Sequence, residues 1–160
     1  MNLSEILEGA QTWAKTRRDI KYKMGGEDIR ENGVLDCSSF VWQVLGEKKF
    51  DGKAWRNTDW IRADALNRKT RFRPIAKPVP GCIAVYGGRV QKFPDGTSKR
   101  HAGHVGFVVD PEKKLAIDCS SSQNGIRLHR QVVLFNGPSD KRAAGLIFCV
   151  PVEATDAPAS

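Results

Sequence analysis

The strongest constraint on the fold is a change of sequence pattern near Pro74. Before this residue, apolar side chains recur at the spacing of one helix face, as in the segment 3–18. After it, prolines and glycines separate short runs rich in branched and aromatic residues, which is typical of strands joined by turns. Helices followed by strands predict an α+β domain with N-terminal helices packed on a mainly antiparallel β-sheet.

Capping and turn residues set the bounds of the predicted elements. Asn2 and Glu5 resemble a capping box, and Gly46 is a typical helix stop. The predicted helices cover residues 3–18 and 37–45, with a third beginning at Thr58. The predicted strands lie near residues 82–86, 104–109, 114–118, 126–129, 131–135 and 145–150, with a polar loop over 87–100.

Chain length and charge bound the class of protein. With 160 residues, the chain suits one compact domain, which we place at residues 1–150, followed by a disordered tail over 151–160. Lysine plus arginine outnumber aspartate plus glutamate by 26 to 18, a net charge of +8, which favours anionic polymers as partners. The basic residues are scattered and lack interleaved aromatic residues that could stack on bases, so we expect no nucleic-acid role.

The sequence predicts neither a membrane span nor a secretion signal. No stretch approaches the roughly 20 apolar residues that cross a bilayer. Residues 1–19 lack the basic and then apolar order of a signal peptide. We therefore expect a protein that is made in the cytoplasm, without membrane insertion.

Four cysteines, at positions 37, 82, 119 and 149, form no CxxC pair. Free thiols are the expectation, and a disulfide involving Cys82, Cys119 or Cys149 stays open. Cys37 differs because it follows Asp36 at a predicted helix start, where unpaired N–H groups and the positive dipole end favour a thiolate. The same N–H groups could hold the oxyanion formed when a thiolate attacks an amide carbonyl. A packed structural cysteine is the alternative interpretation.

His104 and Asp118 are the candidate partners of this thiol. His104 opens a predicted strand, Asp110 and Pro111 form a turn, and Asp118 lies on the returning strand. In an antiparallel hairpin centred near Pro111, residue 104 lies opposite residue 118, and opposed side chains share a face about 5 Å apart. The aspartate can hold one ring nitrogen while the other takes the thiol proton. A shift of one residue would place Cys119 there instead.

The other histidines carry weaker signals. His101 and His104 form a His-x-x-His fragment that resembles part of a zinc site, but no third ligand stands at a recognised spacing. We therefore expect no metal and no cofactor. His129 has no partner in the sequence pattern and is predicted to be a surface residue of a strand.

Taken together, these residues resemble the NlpC/P60 family of papain-like cysteine peptidases. Over roughly residues 15–135, four motifs stand in the family's order: YKMGG (22–26), DCSSFV (36–41), PGCI (80–83) and GHVG (103–106). The resemblance implies that Cys37 is the nucleophile, that His104 is the base, and that Asp118 occupies the third catalytic position.

The resemblance also implies a papain-like fold and a substrate pocket lined by Tyr22, Asp36 and Ser38. The family hydrolyses amide bonds in the stem peptides of bacterial peptidoglycan, commonly between γ-D-glutamyl and diaminopimelate or lysine residues, through a thioester intermediate. Two positions depart from the family's pattern. Ser39 replaces a glycine, which we expect a helix start to tolerate, and Cys82 replaces an aspartate.

Other functions stay open on the sequence alone. The same scaffold can act on another amide or acyl substrate, and a catalytically idle wall-binding or phage-structural module is the alternative from a different class. Without a signal peptide, a cell-wall enzyme needs non-classical export, either as an antibacterial effector through a secretion system or as a phage lysin. An effector implies a cognate immunity protein that plugs the cleft.

Overall fold

A computed structural model describes residues 1–27, 33–47, 55–138 and 145–159. Within these ranges the helices are α1 (Leu3–Thr16), α2 (Cys37–Val44), α3 (Thr58–Ala63), which continues as a π-helical turn (Asp64–Arg68), and α4 (Val133–Asn136). The strands are β1 (Lys21–Tyr22), β2 (Val34–Leu35), β3 (Phe72–Ile75), β4 (Ile83–Tyr86), β5 (Arg89–Lys92), β6 (Ser98–His101), β7 (His104–Asp110), β8 (Leu115–Ser120), β9 (Gly125–Arg130) and β10 (Ile147–Pro151). None of the helices in these ranges is long and apolar enough to cross a bilayer.

Six strands form one antiparallel sheet in the order β3-β10-β4-β7-β8-β9. The short strands β1 and β2 pair in parallel, and β5 pairs with β6 in a separate antiparallel hairpin. Helices α1 and α2 pack against strands β7 and β8. The predicted α+β class, with N-terminal helices on a mainly antiparallel sheet, is therefore confirmed and is consistent with a papain-like fold.

Helices α1 and α2 contact the sheet through apolar residues at helical spacing. The buried residues of α1 are Leu3, Ile6, Ala10 and Ala14. The Asn2 side chain caps α1 by accepting a hydrogen bond from Glu5 N at 2.9 Å, as predicted. In α2, the Phe40 ring lies edge-on to Phe107 of β7, with 5.7 Å between the ring centroids. This packing fixes the start of α2 beside the strands that carry the candidate histidine and aspartate.

The segment 131–135 is predicted as a strand, but the chain forms helix α4 instead. Leu134 is fully buried over β7, and its Cδ1 atom lies 2.8 Å from where a Cβ at Gly106 would be. Turn hydrogen bonds from Leu134 N to Gln131 O and from Phe135 N to Val132 O support the helix. Packing of one apolar side chain thus overrides the strand propensity of the branched residues.

The predicted polar loop over residues 87–100 contains most of the β5–β6 hairpin. The Asp95 carboxylate accepts hydrogen bonds from the backbone N–H and the hydroxyl of Thr97, and Gly96 adopts a φ of +85°. Pro-Asp-Gly is a known turn signal. The strands on either side are mostly polar on both faces, so they carry no alternating hydrophobic pattern.

Residues 151–160 are predicted as a disordered tail, whereas the structure gives residues 151–159 defined contacts with the domain. Asp156 Oδ1 accepts a hydrogen bond from Leu3 N at 2.8 Å, and Pro158 O accepts one from Arg73 Nη1 at 2.8 Å. Ala154 is buried. The first turn of α1 has N–H groups without helical partners, and Asp156 satisfies one of them. Residues 151–159 are therefore packed on the domain, and Ser160 lies outside the described residues.

Asp64 is a fully buried carboxylate at the start of the π-helical turn. It accepts hydrogen bonds from the Thr70 hydroxyl and from the backbone N–H groups of Thr70, Arg71 and Phe72. Burial raises the pKa of Asp64, but these hydrogen bonds together hold it below its ordinary value. Asp64 thus anchors the connection between α3 and β3.

We predict that Asp64→Ala lowers the free energy of unfolding by about 3 kcal/mol, because it leaves buried donors without an acceptor. Since the folded-state pKa is lowered, this contribution is present above roughly pH 4 and decreases as the pH falls below that value. Urea unfolding at pH 7 and at pH 3 measures both effects. Asp19→Ala, which removes an exposed carboxylate paired with Arg17, is the control and should change little. Equal stability of wild type and Asp64→Ala at pH 7 would contradict the prediction.

Candidate active site

Helix α2 begins with a reciprocal cap formed by Asp36 and Ser39. Asp36 Oδ1 accepts a hydrogen bond from Ser39 N at 2.8 Å, and Ser39 Oγ accepts one from Asp36 N at 3.0 Å. The Ser39 hydroxyl also donates to Gly26 O at 2.7 Å. The serine that departs from the family's glycine therefore completes the cap and joins it to the YKMGG segment.

Cys37 is the first residue of α2 and lies on the wall of an open cleft. Its exposed fraction is 8%, so the sulfur is mostly covered. The cleft has a volume of about 400 Å³ and is lined by Tyr22, Met24, Asp36, Cys37, Ser38, Asn57, Thr58, Asp59, Arg100, Ala102 and Gly103. The three predicted pocket residues thus share one cleft with the predicted nucleophile.

His104 lies at the start of β7 and connects Cys37 with Asp118. Its Nε2 atom is 2.6 Å from Asp118 Oδ2. The Cys37 side chain lies close enough to the His104 ring for its charge to raise the pKa of the imidazole. Because Asp118 occupies Nε2, the nitrogen that can exchange a proton with the sulfur is Nδ1. The structure therefore brings the three predicted catalytic residues together, and their roles in catalysis stay predictions at this point.

The hairpin register differs by two residues from the one predicted. Phe107 pairs with Ile117 and Val108 with Ala116, with a bulge between Val108 and Asp110. This register sets Gly106, and not His104, opposite Asp118. A shift of two residues keeps every side chain on the same face, so His104 and Asp118 still meet, now along a diagonal.

Gly106 makes this diagonal contact possible. A Cβ at position 106 would lie 3.0 Å from the Asp118 Cβ. The alternative with Cys119 in the place of the acid does not occur, since the Cys119 thiol is buried and donates to Leu35 O at 3.4 Å. All four cysteines are free thiols, which closes the disulfide alternatives.

The charges of His104 and Asp118 stabilise each other. Burial lowers the pKa of His104, but the hydrogen bond with Asp118, together with the negative charges of Asp118 and Cys37, raises it overall to about 10. Burial raises the pKa of Asp118, but hydrogen bonds from His104 and His129 hold it well below its ordinary value. At neutral pH the pair is therefore imidazolium and carboxylate. An imidazolium beside a sulfur stabilises a thiolate.

Tyr22 and Tyr86 lie near the same charges. Burial, followed by the negative charges of Cys37, Asp36 and Cys119, raises the pKa of Tyr22 to about 12. Burial and the charges of Cys37 and Asp118 also raise the pKa of Tyr86, whose ring centroid is 6.4 Å from that of His104. Both phenols stay protonated and keep a hydroxyl donor.

Sequence reasoning missed Tyr86, His129 and Gln131. His129 is predicted as a surface residue without a partner, but its Nε2 atom lies 2.6 Å from Asp118 Oδ1. Gln131 Nε2 donates to Asp118 Oδ2 at 2.9 Å. The signal that could have found His129 is the strand period of two, because β8 and β9 pair Asp118 with Arg127, two residues from His129.

The His-x-x-His fragment does not form a joint site. His101 Nε2 is 3.1 Å from Gln91 Oε1 within the β5–β6 hairpin, whereas His104 is engaged by Asp118. In the part of the chain that the structure describes, no three histidine, cysteine, aspartate or glutamate side chains are grouped to hold a metal ion.

The sequence matches the model of a known protein family. The family model described as the CHAP domain matches residues 29–122, more than half of the chain. This range includes Asp36, Cys37, His104 and Asp118. No curated protein matches the chain significantly.

We predict that Asp118→Asn lowers the pKa of His104 by about 1 to 3 pH units, because the amide keeps the shape and loses the negative charge. In the wild type the imidazolium persists up to about pH 10 and is lost above it. Titration of the ring nitrogens by NMR measures the change. Asp95→Asn, which alters an exposed carboxylate in the turn between β5 and β6, is the control and should leave the His104 titration unchanged. An unchanged His104 titration in Asp118→Asn would refute the pairing.

Proposed function

The chain belongs to the CHAP domain family of peptidoglycan hydrolases, which are amidases and peptidases, and we propose that it cleaves stem peptides with Cys37 as nucleophile. CHAP domains occur in NlpC/P60-like and other peptidoglycan hydrolases, so the family agrees with the resemblance drawn from the motifs. Peptidoglycan as the substrate class follows from this membership. The cysteine chemistry and the bond that is cut are the proposal.

The observation that carries the proposal is the connection from Cys37 through His104 to Asp118 at the edge of the cleft. In the first step the Cys37 thiolate adds to the scissile carbonyl, and the electron pair of the C=O bond moves onto oxygen. The intermediate then collapses, the C–N bond breaks, and the His104 imidazolium gives its proton to the leaving amine. Water, deprotonated by His104, next attacks the thioester and releases the acid and Cys37.

The first turn of α2 supports this chemistry by offering N–H groups to the oxyanion. Asp36 accepts the N–H of Ser39 with its side chain and that of Phe40 with its backbone carbonyl. The N–H groups of Cys37 and Ser38 are the ones left in this turn for a ligand. Together with the positive end of the helix dipole, they would stabilise negative charge that develops beside the sulfur.

The polar residues of the cleft favour a peptide end with a positive charge. The hydrogen bonds from Ser39 N and from the Ser38 hydroxyl both go to Asp36 Oδ1. We propose that Asp36 binds the free amine of the stem peptide's L-alanine, with Tyr22 and Ser38 beside it. We further propose that the bond cut lies between γ-D-glutamyl and diaminopimelate or lysine, which is the bond that the resemblance to NlpC/P60 peptidases implies.

Two alternatives predict different outcomes. A papain-like enzyme for another amide or acyl substrate would keep the thiol chemistry and leave peptidoglycan intact. An idle wall-binding or phage-structural module would bind peptidoglycan without cleaving it, and it has no need for a buried imidazolium and carboxylate pair.

We predict that the wild-type protein releases new fragments from purified peptidoglycan and that Cys37→Ala releases none. Mass spectrometry of the soluble fraction identifies the fragments and the bond that was cut. Cys82→Ala, which removes a buried thiol directly before β4, is the matched control and should retain activity. His104→Ala should be inactive as well, and Asp118→Ala should retain reduced activity, since an orienting group contributes less than the proton carrier.

Equal fragmentation by wild type and Cys37→Ala would remove the thiol from the mechanism. Binding to peptidoglycan without fragments from either protein would favour the idle module. Absence of both binding and cleavage, together with turnover of a small thioester or amide, would favour the other enzyme.

For its biological role we propose an antibacterial effector or a phage lysin that reaches the cell wall by a secretion system or after phage lysis. The net charge of +8 supports action on an anionic wall polymer. An effector further implies an immunity protein that enters the cleft and covers Cys37.

We predict that the protein lyses Gram-negative cells when a signal peptide directs it to the periplasm and leaves them intact when it stays in the cytoplasm, because its substrate lies outside the inner membrane. Optical density after induction measures lysis. Cys37→Ala with the same signal peptide is the control and should be harmless. Equal lysis by Cys37→Ala would show that toxicity does not come from hydrolysis.

A further inference from the structure

Asp118 receives three hydrogen bonds, although a histidine partner needs only one of them. His104 Nε2 and Gln131 Nε2 contact Oδ2 at 2.6 and 2.9 Å, and His129 Nε2 contacts Oδ1 at 2.6 Å. The Asp118 side chain has no exposed surface, and the two histidines are nearly covered. The carboxylate thus joins two imidazoles, one at each oxygen.

The strand register explains why the three side chains meet. Asp118 lies in β8 between Gly106 of β7 and Arg127 of β9. His104 and His129 are each two residues away from those opposed positions, on the same face of the sheet and at opposite ends of the carboxylate. Strand β9 is the edge of the sheet, so a polar side chain at 129 could have been directed to solvent.

Two physical costs make the extra donors useful. Removing a carboxylate from water costs free energy, and a single hydrogen-bond partner offsets only part of that cost. The torsion that rotates a carboxylate about its Cβ–Cγ bond is also broad, so one hydrogen bond leaves its plane poorly fixed. Donors on both oxygens fix the plane and therefore the direction in which Oδ2 holds His104.

We propose that His129 and Gln131 are positioning residues that hold the Asp118 carboxylate, and through it the His104 ring, in the orientation that the Cys37 sulfur needs. This inference rests on the proposed function for its effect on turnover. Among the described residues, both are hydrogen-bonded to Asp118 and neither is hydrogen-bonded to Cys37, so both would act through Asp118. The competing explanation is that His129 only fills space at the sheet edge.

The test compares two replacements of His129 that separate hydrogen bonding from packing. His129→Gln places an amide N–H near the position of the ring Nε2, whereas His129→Leu fills the space and has no donor. With a soluble stem peptide as substrate, we expect His129→Leu to lower kcat by about 10- to 100-fold, as losses of groups that orient a functional residue do, with KM little changed. We expect His129→Gln to stay within about threefold of wild type. A pure packing role predicts the reverse order.

Two further variants complete the test, one as a control for changes in β9 and one to remove the third hydrogen-bond donor. Leu128→Ala alters a neighbouring residue of β9 that is 49% exposed and should leave kcat unchanged. Gln131→Leu removes the third donor after β9 has ended, and a smaller loss of kcat is expected. Thermal unfolding identifies any variant that fails to fold. Wild-type kcat in folded His129→Leu and Gln131→Leu, or equal losses in His129→Leu and His129→Gln, would overturn the proposal.

A readout without turnover separates this inference from the proposed function. The proton of the His104 Nε2–H group, held by Asp118, should give a downfield NMR signal in wild type and in His129→Gln, and it should broaden in His129→Leu. Cleavage by Cys37→Ala would defeat the proposed function and leave this measurement valid. An equally sharp signal in His129→Leu would defeat the inference even if the enzyme proves active.

Discussion

The hydrogen bond between His104 and Asp118 is the interaction on which the site depends. It is formed across β7 and β8, two neighbouring strands inside the six-stranded sheet, so strand pairing holds the imidazole in place. Cys37 comes from the opposite layer, at the start of a helix whose Phe40 packs on Phe107 of the same strand β7. Helix packing therefore sets where the sulfur lies, and strand pairing sets where the imidazole lies.

Much of this site could be predicted because its determinants are local. The cap at Asp36 and the helix after it follow from neighbouring residues, and the hairpin from His104 to Asp118 follows from one turn. The register was wrong by two residues because the turn covers residues 111–114, so that Asp110 pairs with Leu115, and is not centred on Pro111. His104 and Asp118 still lie on the same face of the sheet, because only a register shift by an odd number of residues moves a side chain to the other face.

The features that could not be predicted depend on contacts between distant segments. Asp156 reaches the start of α1 from the far end of the chain. The helix at 133–136 forms because Leu134 finds space above Gly106. Each of these contacts depends on a cavity or a free hydrogen-bond donor that exists only after the other elements have folded. No local pattern in the sequence therefore predicts it.

Burial also separates the four sulfurs by their chemistry. It raises the pKa of Cys82 to about 12, and it raises the pKa of Cys119 and of Cys149 still further above the ordinary thiol value. These three are neutral packing residues inside the core, and Cys82 fills without charge the position where the family's pattern has an aspartate. Cys37 alone among the four lines the cleft, at a helix start and beside an imidazolium. A thiolate is stabilised by water or by a nearby cation. The fold places Cys37 at the cleft beside the His104 imidazolium, whereas Cys82, Cys119 and Cys149 are surrounded by core residues.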